Sequence, residues 1–79
     1  MDEIKAHVVI SGVVQGVGFR VSTYEKVREY GLSGYVKNRN DGKVEAVFRG
    51  SRENVERIID WCNIGPPSAR VKNVEVYYS

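Results

Sequence analysis

The sequence has 79 residues, of which 42% are hydrophobic and 28% charged, values typical of one small soluble globular domain over residues 1–79. Its net charge of +2, from 12 Lys and Arg against 10 Asp and Glu, does not by itself indicate a nucleic-acid partner and favours only mildly an anionic ligand. Cys62 is the only cysteine, which argues against a disulfide framework and a zinc site. No apolar run approaches the roughly 20 residues of a membrane span, so we expect a cytoplasmic protein without a membrane anchor.

The first half of the chain predicts a strand, a glycine-rich turn and a helix. From Ile4 to Val14 the apolar residues alternate with the two-residue period of a strand that is buried on one face. After the turn, Thr23, Val27 and Tyr30 recur at helical spacing. Gly31 then marks the expected C-terminus of this helix.

The second half predicts a hairpin, a helix and a last strand. Two short runs of β-forming residues within residues 34–50 flank Asp41-Gly42, a strong hairpin signal. Ser51 is the expected N-cap of the second helix. The apolar residues of this helix repeat at i, i+3, i+4 and i+7, namely Val55, Ile58, Ile59 and Cys62. Alternation over residues 69–79 predicts the final strand.

The resulting order, β-α-β-β-α-β, is that of the ferredoxin-like α+β fold, an antiparallel sheet with two helices on one face. Right-handed crossovers require the first two strands to run parallel, with the third inserted antiparallel between them. The C-terminal ends of those two strands then share one end of the sheet. We therefore expect residues 12–20 and residues 37–41 to lie together there.

The turn after the first strand has the composition of an anion cradle. Gly16 and Gly18 permit left-handed dihedral angles and a close approach of the backbone to an oxygen. Val17 and Phe19 are expected to anchor the turn in the core. The guanidinium of Arg20 is able to hold two phosphate oxygens at once, which a lysine does not.

The general phosphate-binding motifs do not fit this turn. A P-loop needs four residues between its glycines, whereas Gly12 and Gly16 are separated by three. The dinucleotide fingerprint fails because Val21 stands where its third glycine belongs. Composition alone leaves two interpretations equally open: a phosphate site, or a tight turn beside a solvated arginine.

Two longer patterns resemble one family. The segment GVVQGVGFR, Gly12 to Arg20, is similar at every specified position to the acylphosphatase signature G-x-V-Q-G-V-G-F-R. The segment from Gly34 to Gly50 resembles the second signature of the same family. The resemblance covers about residues 6 to 76 and includes GPPSARV after the second helix. It implies the ferredoxin-like α/β sandwich that the order of elements predicts independently.

The resemblance also implies an activity and its residues. The activity is hydrolysis of the carboxyl-phosphate bond of a small acyl phosphate to a carboxylate and inorganic phosphate, by an enzyme without a metal or organic cofactor. Arg20 matches the phosphate-binding arginine of the family, and Asn38 matches the asparagine that orients the attacking water. In the family, a loop binds the phosphate mainly through its backbone. The matching residues are Gln15, Gly16, Val17, Gly18, Phe19 and Arg20.

Two alternative functions, neither of them enzymatic, remain open. One is a non-catalytic module of the same family that binds a phosphorylated ligand or partner, since fold alone does not establish turnover. The presence of both Arg20 and Asn38 favours the enzyme. The other is an RNA platform on the open sheet face, formed by Tyr35, Tyr77 and residues 37–39, but the RRM aromatic motif is missing. We therefore expect no nucleic-acid partner and take a monomer as the default.

Two residues with reactive side chains are expected to have structural and not catalytic roles. His7, the only histidine, falls in the middle of the first strand, away from the expected site. Cys62 continues the apolar stripe of the second helix, as a small buried hydrophobic residue does.

Many members of the family continue for about ten residues into a further short strand, whereas this sequence ends at Ser79. We expect an exposed sheet edge that lowers stability or pairs with another chain. The residues of both signatures are unaffected, so activity is expected to persist.

Overall fold

The computed structural model describes residues 3–79 and confirms the predicted order of elements. The elements are β1 (Glu3–Val13), α1 (Phe19–Glu29), β2 (Ser33–Asn38), β3 (Val44–Ser51), α2 (Arg52–Cys62) and β4 (Arg70–Tyr78). The strands form one sheet in the order β2-β3-β1-β4, and every neighbouring pair is antiparallel. This is the ferredoxin-like α+β fold. That residues 1–79 form one domain stays a prediction, because Met1 and Asp2 lie outside the described residues.

The sheet brings the ends of β1 and β2 together, as the crossover rule requires. Val8 of β1 and Val36 of β2 both pair with Ala46 of β3, which lies between them. Because β3 is antiparallel to both neighbours, β1 and β2 run parallel and end at the same side of the sheet. The glycine-rich turn after β1 therefore begins at the same end of the sheet as the end of β2.

The core lies between one face of the sheet and the two helices. Ala6, Val8 and Ile10 of β1 are fully buried in this core, as the alternation predicts. Val9, on the opposite face of the strand, is buried as well, so the alternation of buried and open positions is interrupted there. From the other elements the buried hydrophobic side chains are Val36, Val44, Ala46, Phe48, Phe19, Val27, Val55, Ile58, Ile59 and Cys62. Removal of this apolar surface from water is the main force that holds the helices on the sheet.

The predicted helix ends are confirmed by their hydrogen bonds. At the end of α1, the N–H of Leu32 donates to the carbonyl of Val27 at 2.9 Å, and that of Gly31 donates to Arg28 at 3.2 Å. This pair is a Schellman motif. At the start of α2, Ser51 Oγ accepts a 3.2 Å hydrogen bond from the N–H of Asn54.

The hairpin between β2 and β3 forms around Asp41-Gly42, as predicted. Its neck is closed by the N–H of Arg39, which donates to the carbonyl of Lys43 at 2.8 Å. Within the loop, Asp41 Oδ1 accepts from the N–H of Lys43 at 3.1 Å. The neck follows Asn38 directly, so the hairpin fixes the backbone of the last residue of β2.

Strand β2 is an edge of the sheet in the described chain, and a side chain of α1 covers part of that edge. The hydroxyl of Tyr24 donates to the carbonyl of Val36 at 3.2 Å and accepts from its N–H at 3.1 Å. One hydroxyl thus satisfies both backbone groups that a neighbouring strand would pair with. It also ties the first half of α1 to β2 close to Asn38.

We predict that Tyr24→Phe lowers the free energy of unfolding by about 1–2 kcal/mol, because both backbone groups of Val36 lose their partner. The control is Tyr35→Phe, because the Tyr35 hydroxyl makes only an exposed hydrogen bond, of 3.4 Å, to Oε2 of Glu45. That change should cost less than about 0.5 kcal/mol. Urea unfolding followed by circular dichroism measures both, and equal losses would contradict the role of Tyr24.

Candidate active site

The turn between β1 and α1 presents free backbone donors. Gly16 and Gly18 adopt positive φ angles of 74° and 78°, which place them in the left-handed region that favours glycine. Gly18 is also the N-cap of α1, so no side chain caps this helix within residues 3–79, and its first turn carries no acidic residue. The N–H groups at the start of α1 therefore remain available to an anion, which the helix dipole also attracts.

The turn is fixed in place by Phe19. Its ring is buried and packs against the ring of Trp61, with 5.5 Å between the ring centroids. On another side it meets Gly65, where an added Cβ would lie only 2.8 Å from the Phe19 ring. Thr23 Oγ1 donates to the Phe19 carbonyl at 2.7 Å, and Val17 packs against the edge of the core. The anchoring expected of Val17 and Phe19 is therefore observed.

A cavity of about 310 Å³ opens over this turn. It joins Arg20, the second residue of α1, to Asn38, the last residue of β2, although they lie 18 positions apart in the sequence. Its lining consists of Val14, Gly16, Gly18, Phe19, Arg20, Val21 and Asn38. The structure thus brings together the two segments that the topology predicted to converge.

The charge of this cavity is positive. Its lining contains one arginine and no acidic residue or histidine. Within the described chain Arg20 forms no ion pair, whereas Arg39 pairs with Asp41 at 3.0 Å and Arg57 pairs with Glu53 at 3.7 Å. The side chains of Arg20 and Asn38 are exposed and make no hydrogen bond within residues 3–79. Both are free to contact a ligand.

Two residues of the predicted phosphate loop do not line the cavity. Val17 is half-buried in the core, and Gln15 turns its side chain towards the hairpin, where Nε2 donates to the carbonyls of Arg39 and Lys43. Two lining residues were not singled out from the sequence, Val14 and Val21. Val14 is a specified position of the first signature, and Val21 directly follows that signature.

Comparison with known proteins assigns the chain to a family. The acylphosphatase family model matches residues 6–79. The chain belongs to the acylphosphatase family. An acylphosphatase of Chloroflexus aurantiacus is 51% identical over 78 residues, which cover 99% of this chain and 85% of that protein.

Solved structures agree with this assignment. An acylphosphatase from Coxiella burnetii superposes with a TM-score of 0.95 at 42% identity, covering 99% of this chain and 82% of that one. An acylphosphatase from Bacillus subtilis gives 0.94 at 32% identity, covering 96% of this chain and 84% of that one. The family predicted from the two signatures is confirmed. The enzyme hydrolyses small acyl phosphates to a carboxylate and inorganic phosphate.

The other reactive side chains lie apart from the cavity. His7 sits in the middle of β1, where its Nε2 lies 3.3 Å from Oε2 of Glu45. Cys62 is fully buried in α2, and burial raises the pKa of its thiol to about 12. Among residues 3–79, no three His, Cys, Asp or Glu side chains gather where they could hold a metal ion. In the same part of the chain, neither helix is long and apolar enough to cross a membrane.

We predict that the Cys62 thiol of the folded acylphosphatase reacts only slowly with a thiol reagent at pH 8. Its pKa of about 12 keeps it protonated there, and the core shields it. Absorbance with an aromatic disulfide should show slow modification in buffer and rapid, stoichiometric modification in urea. Fast reaction of the native protein, or loss of activity in a folded Cys62→Ala variant, would contradict a purely structural thiol.

Proposed function

We propose that Arg20 and the backbone of the glycine-rich turn bind the phosphoryl group of the acyl phosphate, and that Asn38 orients the water that attacks it. The observation that carries this proposal is the cavity over the turn. It combines an uncapped helix start, one unpaired arginine and one free amide, without an acidic residue in its lining. This set of groups suits a dianion that needs positioning more than it needs a base.

In this proposal the turn and Arg20 bind the phosphoryl group. The free N–H groups at Gly18 and beyond donate to its oxygens, and the guanidinium holds two of them in a fork. Each charge-assisted hydrogen bond contributes about 1.5–3 kcal/mol, so the cradle and the arginine account for most of the affinity. As charge spreads over the equatorial oxygens in the transition state, the same donors stabilise it.

Asn38 holds the attacking water in this proposal. Its side-chain oxygen accepts a hydrogen bond from the water, while its NH₂ group is able to donate to the water or to a phosphate oxygen. Attack on phosphorus forms the new P–O bond and breaks the P–O bond to the acyl group, which leaves as a carboxylate. One proton of the water passes to a phosphate oxygen, so the products are RCOO⁻ and H₂PO₄⁻.

A phosphate oxygen of the substrate is the proton acceptor in this scheme, because the lining offers no residue that can act as a base. The amide of Asn38 is not a base, and the guanidinium of Arg20 offers only hydrogen-bond donors. An acyl phosphate has a good leaving group, so orientation and charge stabilisation are sufficient. His7 is held in mid-sheet beside Glu45 and takes no part.

Four further expectations belong to the same proposal. The enzyme acts in the cytoplasm, as a monomer, and without a metal or organic cofactor or a nucleic-acid partner. A lone, buried thiol suits a reducing compartment. Arginine and backbone donors supply the charge stabilisation that a metal ion supplies in other phosphoryl-transfer enzymes.

We predict that Asn38→Ala lowers kcat for benzoyl phosphate by about 10²–10³-fold, the usual cost of one preorganised group, with little change in KM. Arg20→Ala should lower kcat/KM by at least about 10²-fold, because two charge-assisted hydrogen bonds are lost. Loss of ultraviolet absorbance as the anhydride is hydrolysed measures both.

The controls are matched in residue type and neighbourhood. Arg28→Ala removes the same charge from an exposed position on α1, and Asn40→Ala removes an exposed amide from the hairpin. Both should keep near wild-type rates. A folded wild type that does not exceed the spontaneous rate yet binds inorganic phosphate would favour the non-catalytic phosphate-binding module instead.

We predict that wild-type kcat is unchanged after dialysis against EDTA and in assays that contain it. No step above needs a metal ion, since the positive charge at the phosphate comes from Arg20 and the helix start. A loss of activity that added Mg²⁺ or Zn²⁺ restores would refute this part of the proposal.

A further inference from the structure

Gln15 joins the two halves of the active site through its side chain. Its Nε2 donates to the carbonyl of Arg39 at 2.8 Å and to that of Lys43 at 2.9 Å, across 24 and 28 positions of sequence. Gln15 itself lies in the turn directly before Gly16, the first glycine of the cradle. The same amide thus contacts the segment that carries Asn38.

The two acceptors are the neck of the hairpin. The Lys43 carbonyl also accepts from the N–H of Arg39 at 2.8 Å, and the Arg39 carbonyl also accepts from the N–H of Gly42 at 3.3 Å. A carbonyl oxygen has two lone pairs, so both acceptors are filled by one hairpin bond and one bond from Gln15. The amide therefore fixes the hairpin where Asn38 enters it, one residue before Arg39.

We infer that Gln15 is a positioning residue, which sets the distance between the phosphate cradle and the water held by Asn38. It binds no substrate atom through its side chain, because both hydrogens of its amide nitrogen are engaged by the hairpin. The inference rests on the proposed roles of the cradle and of Asn38. In-line attack depends on the relative placement of these two groups, and a misplacement of about 1 Å can cost up to 10²-fold in rate.

This role differs from that of the other contacts around the site. Phe19 anchors the cradle to the core, and Tyr24 ties α1 to the middle of β2 at Val36. Neither of these contacts reaches the hairpin neck. Within residues 3–79, Gln15 donates both side-chain hydrogen bonds between the turn and the hairpin. Its loss therefore frees the two segments from each other while each stays attached to the sheet.

We predict that Gln15→Met, which keeps the shape of the side chain without its donors, lowers kcat by about 10- to 100-fold. Phosphate still meets the intact cradle and Arg20, so the inhibition constant of inorganic phosphate should change by less than about twofold. A structural defect alone would not separate these two readouts. Gln15→Asn, one methylene shorter and unable to span both carbonyls, provides a second variant with the same expected split.

Ser51→Ala is the matched control. It too removes a side-chain hydrogen bond to a backbone group, at 3.2 Å, but at the opposite end of β1, where Ser51 pairs with Glu3. It should lower the urea midpoint and leave kcat within about twofold of wild type. If kcat in the folded Gln15 variants is unchanged, or if the phosphate constant weakens as much as kcat falls, the inference is wrong.

A double-mutant cycle separates this inference from the proposed function. If Gln15 acts through Asn38, then adding Gln15→Met to Asn38→Ala should lower kcat by less than about threefold, because no oriented water remains to misplace. If Asn38→Ala lowers kcat and adding Gln15→Met lowers it further by the full factor seen in the wild type, only the positioning role of Gln15 is refuted. An Asn38→Ala enzyme with wild-type kcat refutes the role of Asn38 itself.

Discussion

The burial of the Phe19 ring is the contact on which the geometry of the site depends. Phe19 is the first residue of α1, and its ring packs against Trp61 of α2 and against Gly65 in the loop beyond it. One side chain therefore holds the cradle, both helices and the last loop in a fixed relation. The free N–H groups of the turn are thus kept at a constant position relative to the sheet, which is what binding of a phosphoryl group requires.

Position accounts for more of this chemistry than any single reactive group does. One charge-assisted hydrogen bond contributes about 1.5–3 kcal/mol, whereas holding two reactants in the productive geometry is worth about 7–11 kcal/mol. In the proposed mechanism, a small fold that places Arg20 and Asn38 across one cavity provides the larger effect. The short hairpin after β2, the cap that Tyr24 forms on β2 and the packing of Phe19 all serve that placement.

Local patterns made most of the fold predictable. The helical period of α2, its Ser51 cap and the Asp41-Gly42 hairpin are properties of neighbouring residues, and each was found where the sequence placed it. The handedness of crossovers then fixed which strand ends meet, so the convergence of Arg20 and Asn38 followed from topology together with the family signatures. Element boundaries moved by about one residue, as fraying ends do.

The sequence by itself determined the elements, their order, the family and the two residues proposed to do the chemistry, because these depend on short-range periodicity and on long specific motifs. Only the tertiary structure decided what the side chains of Gln15 and Tyr24 contact. Their partners are backbone groups of Arg39, Lys43 and Val36, between 12 and 28 positions away. Every residue carries such a carbonyl, so no sequence pattern marks the one that a distant side chain will reach until the strands have paired.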